Sequence, residues 1–265
     1  MIRVALCQET IKWEDKKKNL EKAIKDIKEC KIRGADICFF PEMSFTGFSM
    51  NVSVTGDWCH ETLKEIKRLA SDYEIAVGFG WVDISLSKAR NCYSIVSQNG
   101  DELVTYQKIH SFKYGGEGEQ FSEGDEIKTI HFKEMKFTPF ICYDLRFSEL
   151  FRITGYDTDV FVIPANWPSI RQDHWKTLLK ARAIENQAYV LGINCVGDIN
   201  GLKYSGDSSI IAPDGTIIEE LTGVQGIIIA DIDKKGLEVR ETFPVYRDRR
   251  EGLYLSLLSD ARRTN

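Results

Sequence analysis

The stretch Tyr93-Ser-Ile-Val-Ser-Gln-Asn99-Gly100-Asp-Glu-Leu-Val-Thr-Tyr-Gln107 carries two short apolar runs on either side of Asn99-Gly100. Asn-Gly supplies the left-handed residues of a tight hairpin turn, so Tyr93 to Ser97 and Glu102 to Gln107 are predicted to pair antiparallel. On the N-terminal side, strands and helices alternate. Ile2 to Cys7 reads as a strand. Leu20, Ala23, Ile24, Ile27 and Cys30 recur at helical spacing and give an amphipathic helix that Gly34 ends. Ile37 to Phe40 is a buried strand, Glu61 to Ala70 a helix and Ile75 to Val82 a strand. On the C-terminal side, residues 108–125 are rich in Gly and polar groups and read as a loop. Ile127 to Phe132 and Met135 to Cys142 form a strand pair. A helix starts near Phe147, and Val160 to Ile163 is a strand. Arg171 to Gln187 is a long helix and Tyr189 to Cys195 a strand. Ser208 to Ala212 and Thr216 to Glu219 pair around Asp214-Gly215, and Gly226 to Ile232 is the last clear strand. A hairpin set among crossovers excludes a purely parallel doubly wound sheet. Strands outnumber helices, which suits a layered α/β sandwich with two sheets inside and helices outside.

The chain has 265 residues, 43% of them apolar and 28% charged. No low-complexity stretch or Pro/Gly/Ser linker divides it, so residues 1–265 read as one domain. No apolar run approaches the roughly 20 residues of a membrane span. The start lacks the pattern of an export signal. With 35 basic and 40 acidic residues the net charge is −5, which argues against a nucleic-acid partner. Seven cysteines form no CxxC pair, and the count is odd; a reducing cytoplasm is expected. Cys7, Cys30, Cys38, Cys92 and Cys195 sit in apolar contexts and read as buried thiols, while Cys59 has no assigned role. The four histidines, at 60, 110, 131 and 174, show no zinc-ligand spacing. GxGxxG after a strand, the P-loop and GxSxG are all missing, so nucleotide-cofactor and serine-hydrolase chemistry lack support.

Three strand-to-loop junctions each present a reactive side chain, where a rigid scaffold places function. Glu42 follows the apolar Phe39-Phe40-Pro41. A carboxylate there is poorly solvated and suited to act as a base near neutrality; the blander role is a tie to the loop backbone or an Arg. Lys108 ends a strand among aromatics in Tyr106-Gln107-Lys108-Ile109-His110. Its ammonium could hold an oxyanion, or it could simply reach solvent. Glu117, nine residues on, could orient the lysine. Cys142, in Phe140-Ile-Cys-Tyr-Asp-Leu-Arg-Phe147, sits where a strand turns into a helix. Helix N-terminal amides would lower its thiol pKa and offer N–H groups to an oxyanion; otherwise it is one more small buried residue. A Cys–His pair is the competing arrangement. His110, beside Lys108, is expected to be a satisfied supporting residue, and His174 to reach the pocket mouth. Arg146 reads as structural, paired with Glu149 or Asp144.

Taken together and in this order, Glu42, Lys108 and Cys142 resemble the catalytic triad of the nitrilase superfamily, the carbon–nitrogen hydrolases. The likeness runs from Val4-Ala-Leu-Cys-Gln8 to Phe243-Pro-Val-Tyr246. It implies a four-layer αββα sandwich with two mixed β-sheets packed face to face. It implies a homodimer, joined through the helix after the Cys strand and the helix near 171–187, with the tail helping. It also implies a second glutamate that supports the lysine, for which Glu117 and Glu119 compete. By the same resemblance, Glu42 is the base, Cys142 the nucleophile that forms a thioester, and the Tyr143 N–H with Lys108 the oxyanion site. Asn166 and Trp167 follow a strand and are expected to line the substrate pocket, with packing an equal alternative for Trp167; neither a metal nor an organic cofactor is needed. A narrower resemblance, in Pro164-Ala-Asn-Trp-Pro168, His174-Trp175, Ala181 to Tyr189 and Tyr204-Ser-Gly-Asp-Ser208, is to the bacterial omega-amidase branch. Members of that branch hydrolyse the small-molecule amides 2-oxoglutaramate or 2-oxosuccinamate to the 2-oxo diacid and ammonia. Residues 181–189 are expected to pack structure as much as to read substrate. The same triad serves other linear amides, N-carbamoyl compounds and nitriles, and a non-catalytic binding protein could keep the fold; substrate panels and thiol reactivity separate these.

Overall fold

Tyr93 faces Tyr106 and Ser94 faces Thr105 in an antiparallel hairpin, with Gly100 at a φ of 81° in its turn. The computed structural model describes residues 1–85 and 87–263. In chain order the strands are β1 (Ile2–Gln8), β2 (Ile37–Phe39), β3 (Gly56–Asp57), β4 (Ala76–Asp83), β5 (Arg90–Val96), β6 (Glu102–Gln107), β7 (Ile130–Phe132), β8 (Met135–Pro139), β9 (Val160–Ala165), β10 (Tyr189–Asn194), β11 (Val196–Ile199), β12 (Leu202–Ile211), β13 (Ile217–Thr222) and β14 (Gly226–Ile232). The helices are α1 (Lys16–Ile32), α2 (Val52–Thr55), α3 (Glu61–Tyr73), α4 (Glu117–Gln120), α5 (Ser148–Thr154), α6 (Gln172–Asn186), α7 (Val239–Thr242) and α8 (Glu251–Arg263).

Two mixed sheets of seven strands result. The first runs β14-β1-β2-β4-β5-β6 with β3 on β4, and the second β11-β12-β10-β9-β8-β7 with β13 on β12. Each has a parallel centre (β1, β2 and β4; β8, β9 and β10) and antiparallel flanks. Side chains alternate across a strand, and this sets the layers. Val4, Leu6, Ile37 and Phe39 point into the core between the sheets, where Phe39 stacks on Phe137 at 6.3 Å. Ala5, Cys7, Cys38 and Phe40 point outward onto Ala23, Ile27 and Cys30 of α1 and Ile66 and Leu69 of α3. On the far face α6 covers β10 and β12 with Trp175, Leu179 and Ala183. The order is therefore αββα.

Some elements differ from the sequence expectation. Residues 108–125 contain a 3-10 turn and α4. The strand expected from Ile127 forms only over Ile130–Phe132. The strand expected to reach Cys142 ends at Pro139, and Cys142 opens a 3-10 turn, Cys142–Arg146; α5 begins at Ser148, matching the helix expected near Phe147. The terminal helix α8 was not foreseen, because Leu253, Leu255, Leu257 and Leu258 follow each other too closely for a single buried stripe. All four are exposed.

Candidate active site

All three junctions open toward one place. Glu42 lies in the turn after β2, which is sewn to β4: Ser44 N–H donates to the Gly80 carbonyl, and Gly80 N–H to Ser44 Oγ, both at 3.0 Å. A Cβ on Gly80 would lie 2.4 Å from the Met43 nitrogen, so only glycine lets the Glu42 turn sit this close. Lys108 leaves β6 with its N–H donating to the Asn91 carbonyl of β5. Cys142 follows β8 at a φ of 46°, a strained value for a non-glycine residue. Its turn is tied down by the fully buried Asp144, which accepts from Ile141 N–H, His110 N–H and the Tyr106 hydroxyl. His110 Nδ1 also lies 2.9 Å from Asp144, and its ring stacks on Phe147. Expected as a supporting residue, it holds the cysteine turn against the lysine strand.

Lys108 Nζ lies 2.8 Å from Glu42 Oε1 and 2.9 Å from Glu117 Oε2, and all three side chains are buried. Burial opposes the ammonium's charge, but the Glu117 and Glu42 carboxylates outweigh it and hold the lysine well above its ordinary range. Of the two rival glutamates, Glu117 makes this contact; Glu119 is exposed. Glu42 Oε2 accepts the Asn166 N–H at 3.0 Å. Cys142 is half-buried at the pocket wall. Burial and the Glu42 carboxylate push its thiol well above the usual range, against the pull of Lys108 and the Asn166 N–H. The low-pKa thiol expected at a helix start is therefore not what the structure gives. The turn is a short 3-10 one, and the nearest carboxylate disfavours the thiolate.

The pocket in front of Cys142 encloses about 460 Å³. Phe48, Phe112, Tyr143 and Trp167 make its walls largely aromatic. Two cations interrupt them: Arg146, 4.5 Å over the Trp167 ring, and Arg171, 5.6 Å from the Phe112 ring. Arg146 is not paired with Glu149 or Asp144 as expected. Asp144 is already engaged by backbone and side-chain donors, and Arg146 faces the pocket instead. Among the described residues neither arginine pairs with a carboxylate. His174 lies outside the lining, with Nδ1 3.4 Å from the Arg146 guanidinium. Asn166 lines the pocket, yet its Nδ2 is committed to the Glu42 carbonyl at 2.6 Å and its Oδ1 to Cys195. Trp167 anchors its indole N–H on the Arg171 carbonyl and carries Arg146 on its face. Arg182, in the 181–189 motif, donates to the Leu145 carbonyl and braces the cysteine turn from behind.

Sequence reasoning missed Asn91. A buried polar amide within the apolar run Arg90-Asn-Cys-Tyr-Ser-Ile-Val96 was the available signal, since such groups are placed in cores only with partners. Among the described residues no three His, Cys, Asp or Glu side chains come together to hold a metal ion, and no helix is long and apolar enough to cross a membrane.

Residues 3–240 match the family model described as carbon-nitrogen hydrolase. The chain belongs to the carbon–nitrogen hydrolase family. This carbon–nitrogen hydrolase is 34% identical to a 2-oxoglutaramate amidase of Bacillus subtilis over 95% of its own length and 98% of the relative's. It is 33% identical to an omega-amidase of Yersinia enterocolitica over 93% and 96%. Its fold is similar to that of a CN-hydrolase superfamily protein of Xanthomonas campestris, solved with an arsenic adduct in its active site. The TM-score is 0.88 at 29% identity, covering 94% of this chain and 97% of that one.

Proposed function

We propose that this hydrolase is an omega-amidase, converting 2-oxoglutaramate or 2-oxosuccinamate to the 2-oxo diacid and ammonia. The observation that carries the substrate reading is the pair Arg146 and Arg171, two cations in an aromatic pocket with no carboxylate partner among the described residues. Burial and the Arg171 charge already lower the Arg146 pKa, so an anionic ligand between them is favoured. The similarity to a 2-oxoglutaramate amidase of Bacillus subtilis supports the first of these substrates, and the similarity to an omega-amidase of Yersinia enterocolitica supports the reaction.

The triad works as follows. Glu42 Oε2 takes the proton from Cys142 Sγ as the sulfur attacks the amide carbon. The carbonyl electrons move onto oxygen, which the Lys108 ammonium and the Tyr143 N–H hold. Tyr143 is in the first turn, where N–H groups have no intrahelical acceptor. One such donor is typically worth about 2.7–4 kcal/mol. When the oxyanion collapses, the C–N bond breaks and the Glu42 proton leaves with ammonia, giving a thioester. Glu42 then takes a proton from water, whose oxygen attacks the thioester carbon. The C–S bond breaks, and the sulfur regains its proton from Glu42. Glu117 holds Lys108 in place throughout.

The proposal includes one hydrolase domain over residues 1–265, a homodimer and a cytoplasmic location. The exposed Leu255, Leu257 and Leu258 of α8 support the dimer. Seven free thiols support a reducing compartment.

The deciding experiment is ammonia release from both 2-oxo amides, with Cys142→Ala as control. Rapid release that falls by roughly 10⁴-fold or more in the folded variant is expected. Release that survives the substitution removes the nucleophile assignment. A folded, thiol-reactive protein that releases nothing keeps the triad, discards the substrate and directs the search to carbamoyl compounds and other amides.

A further inference from the structure

Asn91, on β5, is 1% exposed. Its Nδ2 donates one hydrogen to Glu42 Oε1 and the other to Glu117 Oε1, each at 2.8 Å. The amide orientation follows from these partners, because the reverse would aim Oδ1 at two carboxylates. In this orientation Oδ1 has no hydrogen-bond partner among the described residues. A buried acceptor without a donor costs stability, so packing alone does not explain the residue.

Lys108 spans the same two carboxylates. Among the described residues, none of the other titratable groups that face Glu42 carries a basic nitrogen. These are Glu117 at the start of α4, the Cys142 thiol after β8, the Cys195 thiol after β10 and the Tyr204 phenol on β12. One ammonium thus serves two adjacent carboxylates, an arrangement in which like charges tend to share a proton unless further donors hold it off. We propose that Asn91 is a positioning residue: its two N–H groups bridge Glu42 to Glu117, prevent the pair from sharing a proton and keep Glu42 available as the base for Cys142. The inference rests on Glu42 being that base.

The test is the pH dependence of kcat/KM, with that of Cys142 alkylation by iodoacetamide as a readout that needs no substrate. Hydrogen bonds donated to an ionised carboxylate favour that form, so their loss moves the acidic limb upward. In Asn91→Ala the limb is expected to rise by about one pH unit, giving about a tenfold loss on the acidic side that fades to within about threefold on the plateau, with KM nearly unchanged. Asn91→Ser, whose shorter side chain cannot bridge the two carboxylates, should move the limb in the same direction; it also serves if Asn91→Ala fails to fold. Asn91→Asp adds a third carboxylate and should move the limb furthest. A limb that stays in place, or a loss equal at every pH that follows a falling Tm, overturns the inference in favour of packing. Glu42→Gln separates the two failures. If it keeps the wild-type rate, the base assignment falls and this inference with it; if it is inactive while the Asn91 variants leave the limb unmoved, only the role of Asn91 falls.

Discussion

Cys142 has the wrong surroundings for a preformed thiolate. Burial and Glu42 both hold the proton on its sulfur, so its reactivity depends on transfer to Glu42 within the encounter. Lys108 contributes the opposite asset, a cation that two carboxylates keep charged across the working pH range. At this scale the sequence was most legible, because Glu42, Lys108 and Cys142 each follow an apolar strand and carry chemistry that a core does not need. Arg146 was not legible. Its position three residues after Tyr143 also fits a surface ion pair, and only the prior engagement of Asp144 turns it to the pocket. Arg146→Ala is therefore expected to raise KM for a 2-oxo acid amide by about 10–100-fold, the worth of one charge-assisted hydrogen bond. kcat should change little. Steady-state kinetics on that substrate and on a simple amide without a carboxylate checks this; equal losses on both would remove the anion-binding role.

At the scale of elements, the site depends on how closely β2, β4 and β5 approach. The Glu42 turn packs against Gly80 at a distance that excludes a methyl group. Gly80→Ala must displace the backbone around Met43 and carry Glu42 with it. A shift near one ångström in a catalytic group can cost on the order of a hundredfold, so a 10–100-fold fall in kcat/KM is expected. Comparing that fall with the Tm of the same variant distinguishes misplacement from unfolding: a normal rate would show that the turn yields elsewhere. The hairpin and α1 were plain from Asn99-Gly100 and the helical spacing of apolar residues. The 3-10 turn at Cys142 was not, because an apolar strand followed by Tyr-Asp-Leu-Arg also fits the start of an α-helix. The turn was decided by Asp144, whose partners come from β6 and the loop after it.

At the scale of the molecule, Asp26 of α1 lies beside Glu9, the residue that follows β1 of the first sheet. Burial and the neighbouring Glu9 carboxylate push the Asp26 carboxyl up to about 8. Between about pH 4, where the unfolded chain sheds this proton, and about pH 8, where the folded chain does, the native state binds the extra proton and stability falls as pH rises. Asp26→Asn removes the group. Its Tm should match wild type near pH 4 and exceed it increasingly up to pH 8; thermal melts across that range check the sign, and a constant difference would refute it. The exposed leucines of α8 lead to a second expectation, a dimer mass in sedimentation at micromolar concentration. A monomer there would discard the homodimer.

The sequence by itself determined the class of fold, the αββα layering through its resemblance, and the three residues at the strand ends. These follow from local periodicity, turn chemistry and the order of motifs, all of which are carried by residues near each other in the chain. Only the tertiary structure decided which glutamate meets Lys108, that Asn91 bridges Glu42 to Glu117, that Asn166 braces Glu42, and that Arg146 and Arg171 face the pocket with no carboxylate partner among the described residues. Each of these is a choice among partners that local sequence pattern leaves equally open. It is settled by which buried donors and acceptors remain unmatched once the two sheets have closed on their core.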